Sequence, residues 1–161
     1  MFDLINGVPI HPLVVHAVVV LLPLAILGTI AIVVRPAWRV SVGPLVVAAA
    51  AIATALVPVA TSSGEALEKH VGDPGKHASL GDQLILFAVP LLVFSAALVW
   101  LARRQSQNKP VPQLRSLPTI IATLAVIASL AAAVQVYRVG DSGARAAWAD
   151  QVTSTSSNNG E

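Results

Sequence analysis

The polar positions in this chain are confined to short intervals, and the apolar runs between them set the architecture. Four stretches carry no Asp, Glu, Lys or Arg: Val8 to Val34, Val40 to Gly64, Gln83 to Ala102, and Ser116 to Tyr137. About 20 helical residues cross roughly 30 Å of hydrocarbon, so each stretch is long enough for one span. None shows the alternation of barrel strands, and a single chain in lipid must satisfy its backbone internally. The pattern therefore predicts four transmembrane helices, at about Pro12 to Val34, Val42 to Thr61, Ser79 to Leu101 and Leu117 to Arg138. The fold class is all-α: a polytopic membrane protein built as an up-and-down bundle of four helices.

The intervals add detail. Ser62 and Glu65 fit a capping box, so the segment "SSGEALEKH" predicts a short interfacial helix ended by Gly72-Asp73-Pro74-Gly75. "GDSGARAAWAD" predicts a second one, capped by Asp141 or Ser142 and anchored by Trp148. Residues 1–152 form one four-helix transmembrane domain, and the polar stretch 153–161 reads as a disordered tail. Alanine runs at Ala48 to Ala51 and Ala131 to Ala133 allow close backbone approach in the second and fourth helices. Pro23, Pro58 and Pro90 fall inside spans, where local kinks are expected. No repeat of 20 to 50 residues is visible, and the two halves share only a helix–loop–helix outline.

Charge orients the bundle. Arg35, Arg39, Arg103, Arg104, Lys109 and Arg115 flank one face with no acid among them. Lys69, Lys76, Arg138 and Arg145 share the opposite face with every Asp and Glu in the chain. The positive-inside rule makes the first face cytoplasmic, which places both termini outside the plasma membrane. Met1-Phe2-Asp3 lacks the basic start of a cleaved secretory signal, so the first run is expected to stay as a helix. A composition 55% hydrophobic and 11% charged, without a basic patch interleaved with aromatics, speaks against nucleic acid as a partner. With no cysteine, thiolate metal sites, iron–sulfur ligation and c-type haem attachment are excluded.

All four histidines, His11, His16, His70 and His77, fall on the extracytoplasmic side of this topology. Neutral imidazole ligates haem iron, copper and zinc. His16 lies roughly 6 Å of helix rise past Pro12, inside the span, where ionisable groups usually face a bundle interior. The competing reading for His16 is a hydrogen bond to a helix carbonyl or to Gln135. His11 precedes Pro12 and is expected to be extended, standing at the entrance or folded over the site. His77 opens the third span, diagonal to the first in a square bundle. Inward-facing His16 and His77, with His11 next, are therefore the candidate axial ligands of a b-type haem. His70 with Glu65 or Glu68 offers a second, more exposed set suited to a divalent metal such as copper or zinc. Ser129 and Thr123 are expected to bond back to their own helix.

"NGVPIHPLVVH", Gly64-Glu65, "HASLGD" and "VYRVGDSGARAAW" resemble the bacterial four-span membrane family catalogued as domain of unknown function 2231. Some relatives are joined to Rieske-type iron–sulfur domains, which implies a redox setting and a respiratory membrane partner. Many relatives look like "GHSGA" where this chain has Gly140-Asp141-Ser142-Gly143-Ala144, so Asp141 stands where a histidine is often found; were that histidine a ligand, a carboxylate would replace it here. The function expected is a redox carrier of the lipid bilayer, binding b-type haem or a redox metal. The alternatives are a non-catalytic accessory subunit of a larger membrane complex with structural histidines, and a small metal transporter.

Overall fold

In the computed structural model the backbone is described for residues 4–5, 8–71, 75–110 and 116–158, and side chains for 10–68, 75–110 and 116–148. The elements in order are β1 (Leu4–Ile5), β2 (Val8–Pro9), α1 (Ile10–Val34), α2 (Trp38–Ser41), α3 (Gly43–Val71), α4 (Lys76–Asp82), α5 (Leu84–Ser106) and α6 (Leu117–Asn158). Strands β1 and β2 form a two-residue antiparallel pair, Leu4 opposite Pro9 and Ile5 opposite Val8, just before α1. Four helical stretches are long and apolar enough to cross a membrane: Ile10–Val34, Gly43–Glu68, Lys76–Ser106 and Leu117–Trp148. The chain is a membrane protein with four candidate spans, as the hydropathy pattern predicts.

The helices pack in a square. Helix α1 lies against α3 and α6, α5 lies against the same two, and α1 and α5 face each other across the diagonal. In lipid no hydrophobic force draws apolar helices together, so association rests on close packing of small residues. The interior accordingly holds Ala25, Ala50, Ala53, Ala88, Ala125 and Ala132, all with no exposed surface. Large apolar side chains such as Leu13, Leu24, Leu27, Leu45 and Leu86 point outward instead. Outward leucine suits hydrocarbon where it would not suit water.

Two differences from the expected elements have local causes. Helix α1 starts at Ile10, so His11 is helical and not extended. Pro12 is tolerated there because the first turn of a helix has no internal partner for its N–H groups anyway. The outer segments at 62–70 and 140–150 are helical, but as continuations of α3 and α6 without a break. The expected capping groups are used otherwise: Ser62 Oγ donates to Pro58 O (2.7 Å), and Asp141 accepts from Arg145 Nε one turn further on (2.9 Å). A hydroxyl bonded back to the preceding turn prolongs that helix and cannot cap a new one. Helix α3 ends at Val71, and Gly75, at φ +60°, starts α4. Helix α6 runs on to Asn158, into the segment that composition reads as a tail.

Pro23, Pro58 and Pro90 each lie within an unbroken helix. Ser129 and Thr123 bond back to Ala125 O (2.7 Å) and Thr119 O (3.0 Å), as expected. Buried Thr29 has no partner for its hydroxyl among the described residues.

Gly28 and Gly140 test the packing argument. A Cβ at Gly28 would lie 2.7 Å from Val46 Cγ2, whereas one at Gly140 meets nothing within 4 Å. Gly28→Ala should lower helical stability by about 1–3 kcal/mol, the usual cost of overpacking. Gly140→Ala should leave it unchanged or raise it by about 0.5–1 kcal/mol, because alanine is the better helix former. Thermal melts of the two variants in one detergent check this, and equal effects would refute it.

Candidate functional site

The buried residues of α1 are Val18, Leu22, Ala25, Ile26, Thr29 and Ile32. Steps of seven residues return to nearly the same helix face, so a stripe extends back from Ile32, Ala25 and Val18 to His11. His16 falls on the other side. His11 is half-buried and turned to α3, with its Nδ1 2.9 Å from Ala60 O and 3.2 Å from Ser63 Oγ. A carbonyl oxygen can only accept, so Nδ1 carries the ring proton. Ser63 Oγ itself donates to Ala60 O (3.0 Å), which leaves its lone pairs to accept from His11. In a neutral ring Nε2 is then the nitrogen that keeps a free lone pair, and the Nε2 of His11 has no partner among the described residues.

Gly64 makes this contact possible. It follows Ala60 by one helical turn, so any side chain it carried would cover the Ala60 carbonyl. A Cβ there would sit 3.1 Å from His11 Cε1.

The second half of the chain repeats the arrangement. His77, on α4, places Nδ1 3.1 Å from Val139 O and 3.3 Å from Ser142 Oγ on α6. Ser142 Oγ donates to Val139 O (2.9 Å). A Cβ at Gly143 would lie 2.9 Å from His77 Cε1 and 3.0 Å from its Nδ1. The buried stripe of α5 matches that of α1 in the same register. Leu84, Ala88, Leu91, Ser95 and Leu98 stand to His77 as Val18, Leu22, Ala25, Thr29 and Ile32 stand to His11. On the facing helices, Val46, Ala50 and Ala53 precede Ser63 as Ala125, Ser129 and Ala132 precede Ser142. The bundle is thus two helical hairpins of one design, each with a histidine latched to its own return helix.

Both imidazoles line one chamber of about 1000 Å³ at this end of the bundle. Its walls are mainly apolar, including Val15, Val18, Val57, Leu84 and Val136, and Trp148 borders it. The charged residues lining it are Glu65, Glu68 and Asp82. Gln135, buried in α6, donates from Nε2 to Leu80 O (2.8 Å) and so fixes α6 against α4 beside the chamber.

The other residues singled out in the sequence are placed differently. His16 borders the chamber but is exposed, and its Nδ1 bonds the Pro12 carbonyl in its own helix. Glu65 is exposed at the chamber edge. Asp141 is engaged by Arg145 in an exposed ion pair. His70 lies on α3, and its side chain falls outside the described residues. Among the described residues no three of His, Asp and Glu are grouped to hold a metal ion. Ser63, Gly64 and Gly143 were not singled out for their chemistry; Ser142 was expected as a helix cap and accompanies His77 instead, and Gln135, expected as a partner of His16, bonds Leu80 O. The signal that marks the two serines and two glycines is the Ser-Gly pair repeated in "SSGEA" and "DSGAR".

The family described as a predicted membrane protein, domain of unknown function 2231, matches residues 7–156. The chain belongs to this family. No curated protein and no solved structure matches it. The matched region of this domain-2231 protein takes in both histidine latches and the whole chamber.

The latch geometry predicts a tautomer. Selective ¹⁵N-histidine spectra should show His11 and His77 as the Nδ1–H form. Gly143→Ala should displace the His77 ring, remove that signal for His77 alone and cost about 1 kcal/mol of stability, the net worth of one hydrogen bond. An unchanged His77 signal would refute the cradle.

Proposed function

We propose that this protein is a membrane redox carrier that holds b-type haem through His11 and His77 at the histidine-bearing end of the bundle. The single observation that carries this reading is the pairing in one chamber of two imidazoles with Nδ1 bonded to a backbone carbonyl and, among the described residues, no partner at Nε2. Ligating histidines almost always spend their other ring nitrogen in this way, because the bond fixes the tautomer and makes the ligand more basic. Two axial imidazoles suffice for haem, whereas a closed zinc site takes four ligands. Copper or zinc held by His70, Glu65 and Asp141 is less well supported, since Asp141 is already paired with Arg145. The apolar walls suit the face of a porphyrin. The acidic residues at the chamber edge would turn its propionates away from them, toward water.

In this reading the site lies on the extracytoplasmic side and exchanges electrons with a Rieske-type or other respiratory partner. The chain acts as a carrier and not as a stand-alone enzyme. One observation favours the alternative of an accessory subunit with structural histidines: each latch by itself ties two helices together.

Absorption spectra separate the two. Protein purified from haem-replete cells should show a Soret band that shifts on reduction. His11→Ala and His77→Ala should each abolish it, and His16→Ala should leave it intact. A colourless parent preparation, or His11→Ala and His77→Ala variants that keep the full band, would overturn the proposal.

A further inference from the structure

The opposite end of the bundle has its own chemistry, independent of the histidine chamber. Helix α2 packs against α5 and α3. The fit is close at its C-terminal side, where a Cβ on Gly43 would lie 2.5 Å from Val99 Cγ2. This places the turn carrying Arg35, Trp38 and Arg39 at the same end of the bundle as the last two turns of α5, which carry Trp100, Arg103 and Arg104. Two of the guanidinium groups stack on indoles, Arg35 Cζ at 5.6 Å from the Trp38 ring centre and Arg104 Cζ at 4.8 Å from that of Trp100. Both indoles are close to half exposed, at 44% and 48%.

Arg39 has a different task. Its Nε donates to Ile32 O (2.9 Å) and its Nη2 to Val33 O (3.4 Å), closing the C-terminus of α1. Partial burial lowers its pKa from the ordinary arginine value. Arg35, Arg103 and Arg104 meet no carboxylate, since the one ion pair among the described residues is Asp141 with Arg145 at the other end. Helices α3 and α6 also begin at this end, so their N-terminal dipoles add positive potential.

We propose that Arg35, Arg103 and Arg104, framed by Trp38 and Trp100, form a binding site for the headgroup phosphate of an anionic phospholipid. Indole rings sit at headgroup depth and guanidinium groups bind phosphate bidentately, so the pairing selects a phosphate at the membrane interface. Stacking holds the arginine heads in place before the lipid arrives, which lowers the ordering cost of binding. Phosphatidylglycerol and cardiolipin satisfy the charge, and zwitterionic phosphatidylcholine does not.

The test uses the full chain with Trp148→Phe, which leaves Trp38 and Trp100 as the fluorophores. It is reconstituted in phosphatidylcholine with a small fraction of brominated phosphatidylglycerol or brominated phosphatidylcholine. Phosphatidylglycerol should quench more strongly at equal fraction. R35Q/R103Q/R104Q, with Arg39 kept to close α1, should remove the difference and weaken apparent affinity on the order of a hundredfold. Circular dichroism checks that this variant keeps its helix content, and the comparison of lipids in the parent stands without it. Equal quenching by both lipids in the parent, or an undiminished difference in the folded triple variant, overturns the proposal. Reversal of the difference by inorganic phosphate at constant ionic strength overturns it too, by making the site one for free anions.

Discussion

A peptide group in hydrocarbon has no water to turn to, and the structure follows from that constraint. Helices satisfy each carbonyl with one N–H, but a carbonyl oxygen has two lone pairs, and the second stays available wherever the next turn leaves it uncovered. At Ala60 and Val139 it is uncovered because glycine stands one turn later, at Gly64 and Gly143. His11 and His77 take up that second lone pair. Along the rest of the bundle the helices meet through alanine and glycine, with Leu22, Ile32, Leu91 and Leu98 filling the space between them. Directional bonds join each histidine to its return helix at one end, Gln135 to Leu80 O beside them and Thr54 to Ala88 O further along, and the remainder of the interface is mainly packing.

The spans were legible in the sequence because charge is so costly in lipid that its absence marks them. The core faces were not. Helix α1 is apolar on every side, so hydrophobicity carries no phase, and the inward face is set by Ala25, Gly28 and Thr29, where backbones can approach. That is why depth alone pointed to His16, the histidine further inside the span, while the phase of the helix turns His11 inward and His16 out. His77 was legible from topology, since it opens the span diagonal to α1. The runs beyond Thr61 and Arg138 were recognisable as helical. Their continuity with the spans was hidden, because a serine that could cap a new helix can equally bond back to the old one.

The duplication was hidden for a related reason. The two halves agree in the positions they bury and not in the residues they use: Val18 answers Leu84, Leu22 answers Ala88, and Thr29 answers Ser95. The histidines and the Ser-Gly pairs are kept in kind, as are Ala53 with Ala132 and Val57 with Val136. Alanine and valine serve any packed interior, so the histidines and the Ser-Gly pairs are the matches that packing alone does not require. The halves also differ locally. The third span is interrupted at Gln83 between α4 and α5, where the first is continuous, and Gln135 bonds a carbonyl beside that interruption.

The two ends of the bundle then divide the chemistry between them. At one end the groups are imidazoles and carboxylates around an apolar chamber, where a neutral nitrogen lone pair can be kept without a counter-ion. At the other they are guanidinium groups without carboxylates, which only an anion-bearing interface neutralises. Between them, the described side chains of the four spans offer hydroxyls and an amide as their only polar groups, nearly all bonded within the protein. A charge placed along that path would be costly, so the charged groups of the described residues stand at the two ends.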